Sequence, residues 1–294
     1  MTTHTIAFIG LGAMGGQMVR HLMAAGHRLH LYARRPEAAA PFIEQGAKGF
    51  ATPAEAAAEA DFVITNVTTT QDVEDVLLGA EGVVHRARAG TICIDHSTIS
   101  AEATRRMAER LARHDIAFVD APVSGGPSRA ADASLSIMVG ASPDAFDKVK
   151  PLLSVLGTTI THVGDVGAGQ VAKACNQIVQ VINIQGIAEA MLFAARNGVD
   201  QDKVIEAISQ GLAGSRMLDM MGPKMAHRDF SAGIEARLHD KDFSMILDAV
   251  ADAGLSLPAL TLVKGQLSAL MENGWGRDDT SSLLRVLEGQ QKLH

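Results

Sequence analysis

The chain has 294 residues, enough for one large domain or two ordinary ones. Hydrophobic residues make up 47% of it and charged residues 20%, which excludes a disordered chain and allows a substantial core. The 26 basic and 33 acidic residues give a net charge of −7, and no basic run of five or more occurs. Nucleic acid is therefore a poor expected partner, whereas a small anionic substrate needs only local positive charge.

In chain order, the first half alternates apolar runs with helical segments. TIAFIG (5–10), RLHLYA (28–33), FVITNV (62–67), TICIDH (91–96), AFVDAP (117–122), LSIMVG (135–140) and TITHVG (159–164) read as strands. Thr52-Pro53-Ala54-Glu55 predicts a helix start with an N-cap, a first-turn proline and a capping-box glutamate. Ser142-Pro143-Asp144 repeats the cap-plus-proline pattern. This alternation predicts a largely parallel sheet covered on both faces. No basic or separate apolar leader precedes the first strand, so no signal peptide is expected and the protein reads as cytoplasmic. Cys93 and Cys175 are the only cysteines, too few for a disulfide framework or a zinc site. Cys93 reads as strand core and Cys175 as a small packing hydrophobe.

After residue 164 the strands stop. Residues 168–197 read as one helix about 45 Å long, with Asn197-Gly198 as its stop. Further helices are expected at 201–211, 215–226, 240–253, 258–273 and 279–291. Residues 1–164 thus form an expected α/β domain and 165–294 an all-α domain, joined by the short glycine-rich HVGDVGAG. Lys, Asn, Gln and Glu interrupt the long helix, so no membrane partner is expected. Its nearly all-round apolarity exceeds what a small helical domain buries, which predicts a homodimer or homotetramer packed along it.

The first βα turn carries Gly10, Leu11, Gly12, Ala13, Met14 and Gly15, a G-x-G-x-x-G between an apolar strand and a helix. The pattern fits a Rossmann-type dinucleotide site: a tight turn, close approach of a pyrophosphate, and close helix–strand packing. The helix N-terminus adds free N–H groups and a positive dipole end. A tight turn without ligand is the bland alternative. NAD sites usually end the second strand on an acid, but here it ends Tyr32-Ala33-Arg34-Arg35. A guanidinium fork suits a 2′-phosphate, so NADP(H) is preferred and NAD(H) is possible. Alternatively, both arginines coat the surface, or Arg34 stacks on adenine in either cofactor.

Within KACNQIVQVINIQG (173–186), Lys173, Asn176, Gln177, Gln180 and Asn183 recur at spacings of three and four, a polar stripe on an apolar helix. Burying such groups is costly without partners. The stripe faces an active site, a polar seam between helices, or a dimer contact. His96, His162 and His239 lie at no metal-ligand spacing, so no metal is expected. Met217, Met220, Met221 and Met225 read as helix packing.

Four segments in order resemble the β-hydroxyacid dehydrogenase family over nearly the whole chain: FIGLGAMG (8–15), DAPVSGG (120–126), GAGQVAKACNQ (167–177) and LHDKDFSMIL (238–247). The resemblance implies an N-terminal Rossmann-type dinucleotide-binding domain, then an all-α domain with one long helix. It also implies hydride transfer between NAD(P)(H) and a small aldehyde acid or hydroxy acid. It makes Lys173 the acid for carbonyl reduction and the base for alcohol oxidation. An ammonium there also stabilises developing oxyanion charge. Asn176 and Gln177, one turn along, are implied to hold substrate and lysine, so the stripe faces the active-site cleft. Ser124, Gly125 and Gly126 are implied to take the substrate carboxylate, for which their exposed backbone N–H groups suit; an ordinary Gly-Gly turn is the alternative. Thr98 matches a position near the nicotinamide ribose, although it could instead cap a helix. Lys241 matches a cofactor contact with Asp242 beside it; alone, Lys-Asp on a helix reads as a solvated face.

The chain departs from the family where Val67-Thr68 replaces the usual Leu-Pro beside the cofactor, and where Ala33 replaces the NAD-type aspartate. Gln180 stands where the related 6-phosphogluconate dehydrogenases carry a glutamate, so decarboxylation is not expected. QGLAGSRMLD (210–219) resembles the members that reduce tartronate semialdehyde (2-hydroxy-3-oxopropionate) to D-glycerate. The alternatives are 3-hydroxyisobutyrate, or succinic semialdehyde giving 4-hydroxybutyrate. A non-catalytic dinucleotide-binding interaction protein is a further alternative, weakened by the retained Lys173.

Overall fold

A computed structural model describes residues 2–290. The chain runs β1 (Thr5–Ile9), α1 (Gly15–Ala24), β2 (Arg28–Tyr32), α2 (Ala40–Ile43), β3 (Lys48–Gly49), α3 (Pro53–Ala57), β4 (Phe62–Thr65), α4 (Thr70–Leu78), β5 (Ile92–Asp95), α5 (Ala101–Ala112), β6 (Ala117–Asp120), β7 (Val123–Ser124), α6 (Gly126–Ala131), β8 (Leu135–Gly140), α7 (Pro143–Leu153) and β9 (Gly157–Gly164). Among the described residues, helices follow: α8 (Ala168–Arg196), α9 (Gln201–Ser209), α10 (Arg216–Ala226), α11 (Ala236–Asp252), α12 (Pro258–Glu272) and α13 (Leu283–Gln290). Gln291, the last residue of the expected final helix, lies outside the described residues. Two compact units divide inside α8, between Lys173 and Ala174.

In the first unit the sheet order is β3-β2-β1-β4-β5-β6-β8-β7, with β9 beside β8. The pairs from β3 to β6 are parallel; β8 returns antiparallel to β6 and β7. β1 has β2 on one side and β4 on the other, so the strand order reverses at its carboxyl end, where open α/β sheets bind ligands. The period of two explains the two cores. Ile6 and Phe8 enter one face with Ile64 and Ile94; Ala7 and Ile9 enter the other with Val63 and Cys93. Strands buried on both faces read as continuous apolar runs, which made them visible in the sequence.

The expected caps form. Thr52 Oγ1 accepts from Glu55 N–H at 3.1 Å, and Ser142 Oγ from Ala145 N–H at 3.3 Å. The Glu55 carboxylate takes the Ala51 N–H, one residue before the expected capping-box partner. Two short strands, β3 and β7, were not expected. β7 places Ser124 opposite Ser136 of β8, so Ser124 lies within a strand and not after one. Pro122, which has no N–H to donate, separates β7 from β6. α11 begins at Ala236, earlier than expected.

The second unit packs α8, through Val181, Ile184, Ala188 and Met191, against Leu218 and Met221 of α10, Phe243 of α11, Leu267 of α12 and Leu284 of α13. Met221 and Met225 are buried and Met217 partly so, but Met220 is exposed and does not pack as expected. Cys175 is also exposed, which corrects its reading as a packing residue; Cys93 is buried. By length and composition α8 could cross a bilayer. Lys173, Gln177 and Gln185 are nevertheless buried along it, which marks a helix packed against protein.

Candidate active site

The turn after β1 gives each glycine a separate physical role. Gly10 has φ +103°, and a Cβ there would lie 2.2 Å from the Asn66 carbonyl oxygen. Gly15 seats α1 on the turn, since a Cβ would lie 2.0 Å from the Gly10 carbonyl oxygen. Gly12 differs: a Cβ there would meet nothing within 4 Å. It lines an open cavity of about 730 Å³ with Gly10, Leu11, Tyr32, Arg34, Arg35, Asn66, Val67 and Thr68. Ala13 is exposed and Met14 half-buried just before α1. Backbone left bare toward a cavity at a helix N-terminus fits a dinucleotide pyrophosphate.

Arg34 and Arg35 line this cavity where β2 ends, and both are exposed. Arg34 Nη1 donates to Asp72 Oδ1 at 3.1 Å. Asp72 Oδ2 meanwhile accepts from Thr69 N–H, while Thr69 Oγ1 accepts from Asp72 N–H, closing a capping box on α4. One carboxylate thus starts a helix and holds an arginine.

The ends of β4, β5 and β6 meet the start of α8 in a buried polar network. Ser97 Oγ accepts from Val67 N–H at 2.9 Å, tying the β4 end to the loop after β5. Gln170 Oε1 accepts from Ile99 N–H at 3.1 Å, and Gln170 Nε2 donates to the Ser97 carbonyl at 2.8 Å. Thr98 lies between those two partners. Ser100, not Thr98, caps α5, accepting from Ala103 N–H. The Asp120 carboxylate accepts from Gly167 N–H at 2.7 Å and Gln170 N–H at 2.9 Å, filling two of the open donors at the start of α8. Gly140 and Gly169 permit this contact, because a Cβ at either would come within 3 Å of the Asp120 carboxylate. Lys173, one turn beyond Gln170, is 7% exposed.

Burial dominates the titration of this network. It raises the Asp95 carboxyl to about 7, against hydrogen bonds from Ser97 and Thr65, with nearby Asp120 adding to the rise. It lowers His96 to about 4, and lifts Cys93 to about 12 with help from Asp95. Burial also raises Asp120, opposed by the backbone donors it accepts from. His96 Nδ1 pairs with the Ala121 carbonyl at 2.7 Å. Among the described residues, no group of three or more His, Cys, Asp or Glu is placed to hold a metal.

Ser124, Gly125 and Gly126 are half-buried, with φ of +137° at Gly125 and +66° at Gly126. A Cβ at Gly125 would strike the Arg129 side chain, so glycine is required there by space and by backbone. In the second unit, Gln177 Nε2 donates to Asp242 Oδ2 at 2.6 Å, and Lys241 Nζ lies 3.0 Å from Asp242 Oδ1. Asn176 donates to both Gln177 and Gln180. Asp242 is therefore buried and bonded, not part of a solvated face. Ser215 Oγ caps α10 and donates to Asn183 Oδ1 at 3.1 Å, which ties the GLAGS loop to the polar stripe.

The sequence reading missed Gln170, Asp120, Asp72 and Asn66. Only Asp72 had a local signal, the Thr69-x-x-Asp72 pattern before an apolar helix.

Residues 5–164 match the family described as the NAD binding domain of 6-phosphogluconate dehydrogenase. Residues 167–287 match that described as NAD-binding of NADP-dependent 3-hydroxyisobutyrate dehydrogenase. The chain is 37% identical over 283 residues to 2-hydroxy-3-oxopropionate reductase of Escherichia coli, covering 96% of this chain and 97% of that one. It is 35% identical to 3-hydroxyisobutyrate dehydrogenase of Pseudomonas aeruginosa, covering 90% and 91%. The solved 3-hydroxyisobutyrate dehydrogenase of Mycobacterium tuberculosis with L-serine superposes with a TM-score of 0.90 at 32% identity, covering 97% and 99%. With the glycine cradle, these likenesses define an NAD(P)(H)-dependent oxidoreductase acting on a CH–OH group. The chain belongs to the β-hydroxyacid dehydrogenase family.

Proposed function

We propose that this protein reduces a short aldehyde acid to a hydroxy acid, preferring NADPH, with tartronate semialdehyde giving D-glycerate as its reaction. The observation that carries the reading is Lys173, a buried lysine one turn past the anchored start of α8. A dihydronicotinamide cofactor held by the glycine cradle would supply the hydride. Reduction of a carbonyl leaves an alkoxide, and the Lys173 ammonium is the group we assign to protonate it. Asn176 and Gln177 follow on the same helix face to hold the substrate's polar groups, with Gln177 oriented by Asp242. Ser124, Gly125 and Gly126 take the substrate carboxylate. Gly10 to Gly15, Arg34, Arg35, Val67, Thr68, Thr98, Lys241 and Asp242 hold the cofactor.

Two observations support the finer choices. No acid stands at Ala33, while Arg34 and Arg35 line the cavity, as a 2′-phosphate needs. The GLAGS loop is bonded to the polar stripe through Ser215 and Asn183, which supports tartronate semialdehyde. A second reading, the same chemistry on 3-hydroxyisobutyrate or L-serine, is favoured by the likeness to the Mycobacterium tuberculosis enzyme. We further assign the protein to the cytoplasm and to a homodimer or homotetramer built along α8.

The test follows absorbance at 340 nm as tartronate semialdehyde or succinic semialdehyde is reduced with NADPH or NADH, and as 3-hydroxyisobutyrate or L-serine is oxidised with NADP+ or NAD+. Turnover of tartronate semialdehyde with NADPH, reduced about 100-fold or more in Lys173→Ala, is the expected result. Faster turnover of another acid replaces the substrate; undiminished turnover by Lys173→Ala removes the lysine from its role.

A further inference from the structure

Gln170 is one of the few polar side chains in the first unit that is almost fully buried and bonded at both ends of its amide. It is 2% exposed. Its oxygen takes the N–H of Ile99 and its nitrogen donates to the carbonyl of Ser97, partners on either side of Thr98. Its own backbone N–H is fixed by Asp120, which also holds Gly167. The pair of side-chain bonds spans the loop after β5 as a brace. The brace stands on α8 one turn, about 4.5 Å of rise, before Lys173.

We propose that Gln170 is a positioning residue for the reaction, holding the Thr98 loop in fixed register with the turn of α8 that bears Lys173. The inference rests on the roles proposed above for Lys173 and Thr98. Both bonds are needed for the register. An acceptor alone leaves the Ser97 carbonyl free to rotate, and a donor alone leaves the Ile99 N–H unbonded. Ser97 also receives Val67 N–H through its hydroxyl, so a shift at Ser97 carries to the end of β4 in the cofactor cavity. Gln170 acts through these neighbours and needs no contact with substrate.

A glutamate at this position makes the claim testable by pH. Protonated, Gln170→Glu reproduces the amide, with its carbonyl oxygen accepting from Ile99 and its O–H donating to Ser97. Ionised, it sets a carboxylate against the Ser97 carbonyl oxygen in a buried place, which disfavours that form and raises its pKa. The ratio of variant to wild-type kcat should therefore be near one at pH 5.5 and fall about tenfold by pH 8.5. Gln170→Met, of similar length without either bond, should lose about tenfold or more in kcat at every pH, with KM for NADPH changed less than about threefold. A packing role alone would give no pH dependence in the ratio. A flat ratio for Gln170→Glu overturns the proposal. If only Gln170→Met folds, kcat within twofold of wild type overturns it, and so does a loss confined to cofactor KM. Assays use tartronate semialdehyde, or whichever of the four acids the wild type turns over fastest. A wild type inactive on all of them defeats the functional reading, and this inference with it, before any variant is compared. An active wild type with a flat ratio defeats this inference alone.

Discussion

Arg34 donates to the Asp72 carboxylate at 3.1 Å within the cavity expected to take the cofactor's adenosine end. The arginine that recommends NADP is therefore already engaged by an anion. A 2′-phosphate must draw Arg34 from Asp72 and tolerate that carboxylate nearby, whereas an unphosphorylated ribose faces neither cost. Asp72→Asn should lower KM for NADPH about three- to tenfold and leave NADH nearly unchanged. The asparagine oxygen can still accept from Thr69 N–H, so α4 keeps its start. Arg34→Ala should act oppositely, cutting kcat/KM for NADPH about tenfold or more. Parallel changes for both cofactors would reject Asp72 and Arg34 as the discriminating pair.

Gly10 and Gly12 make a second, paired prediction. Gly12 has open space where a Cβ would go, so Gly12→Ala should leave stability within about 0.5 kcal/mol of wild type yet weaken NADPH binding about tenfold by closing the approach to the backbone. Gly10 has a positive φ and the Asn66 carbonyl in its way. Gly10→Ala should cost about 2–4 kcal/mol in denaturant unfolding, whatever its effect on the cofactor. Equal stability losses in the two variants would mean that the cradle is not shaped as described.

These residues also show what the sequence could reveal. The cradle was legible because its six positions are consecutive, although the Asn66 carbonyl that crowds Gly10 comes from elsewhere in the chain. The central strands β1, β4 and β5 were legible because both faces are buried. The brace was not legible, since Gln170 finds its partners 71 and 73 residues away, across the sheet. From its own sequence neighbours Asp242 reads as a solvated acid, and only the resemblance set it beside the cofactor; its donor at 2.6 Å, Gln177, lies 65 residues away. Thr98 could cap a helix by residue type, but where α5 begins gives that role to Ser100. Lys173 stood out early because a lysine among Val and Ile breaks a helical pattern that can be read without any partner.

Asp95 gives a pH prediction. Its folded pKa, about 7, lies above the ordinary carboxyl value of 3.8, so the folded state holds the proton more tightly. That stabilisation is complete below about pH 4 and is lost as pH rises through 7. His96 works the other way. Its folded value is depressed from 6.5 to about 4, so its contribution is present above 6.5 and lost as pH falls through 4. Asp95→Asn keeps an acceptor for Thr65 and Ser97 and cannot ionise. The variant should match wild type near pH 4 and exceed it by a few kcal/mol at pH 8. Thermal unfolding across that range reads the difference; a gap that does not widen with pH would show that Asp95 ionises as freely in the folded protein as in the unfolded one.

The last prediction concerns the outer side of α8. Val179 is 69% exposed and Phe193 73% exposed on the same helix. Fourteen residues at 100° each bring them within about 40° of one another around the axis, and 1.5 Å per residue sets them about 21 Å apart along it. Large apolar side chains repeated along one side of a helix are costly to leave in water and mark a surface that meets another protein. A second copy of this chain carries the same apolar strip, and a two-fold contact buries both at once. Light scattering at micromolar concentration should therefore give a mass of two or four chains. Val179→Glu with Phe193→Glu should shift it toward one chain without loss of helical circular dichroism, because neither side chain belongs to the buried core of its own unit. A wild-type mass of one chain at every concentration would leave this strip without the partner assigned to it.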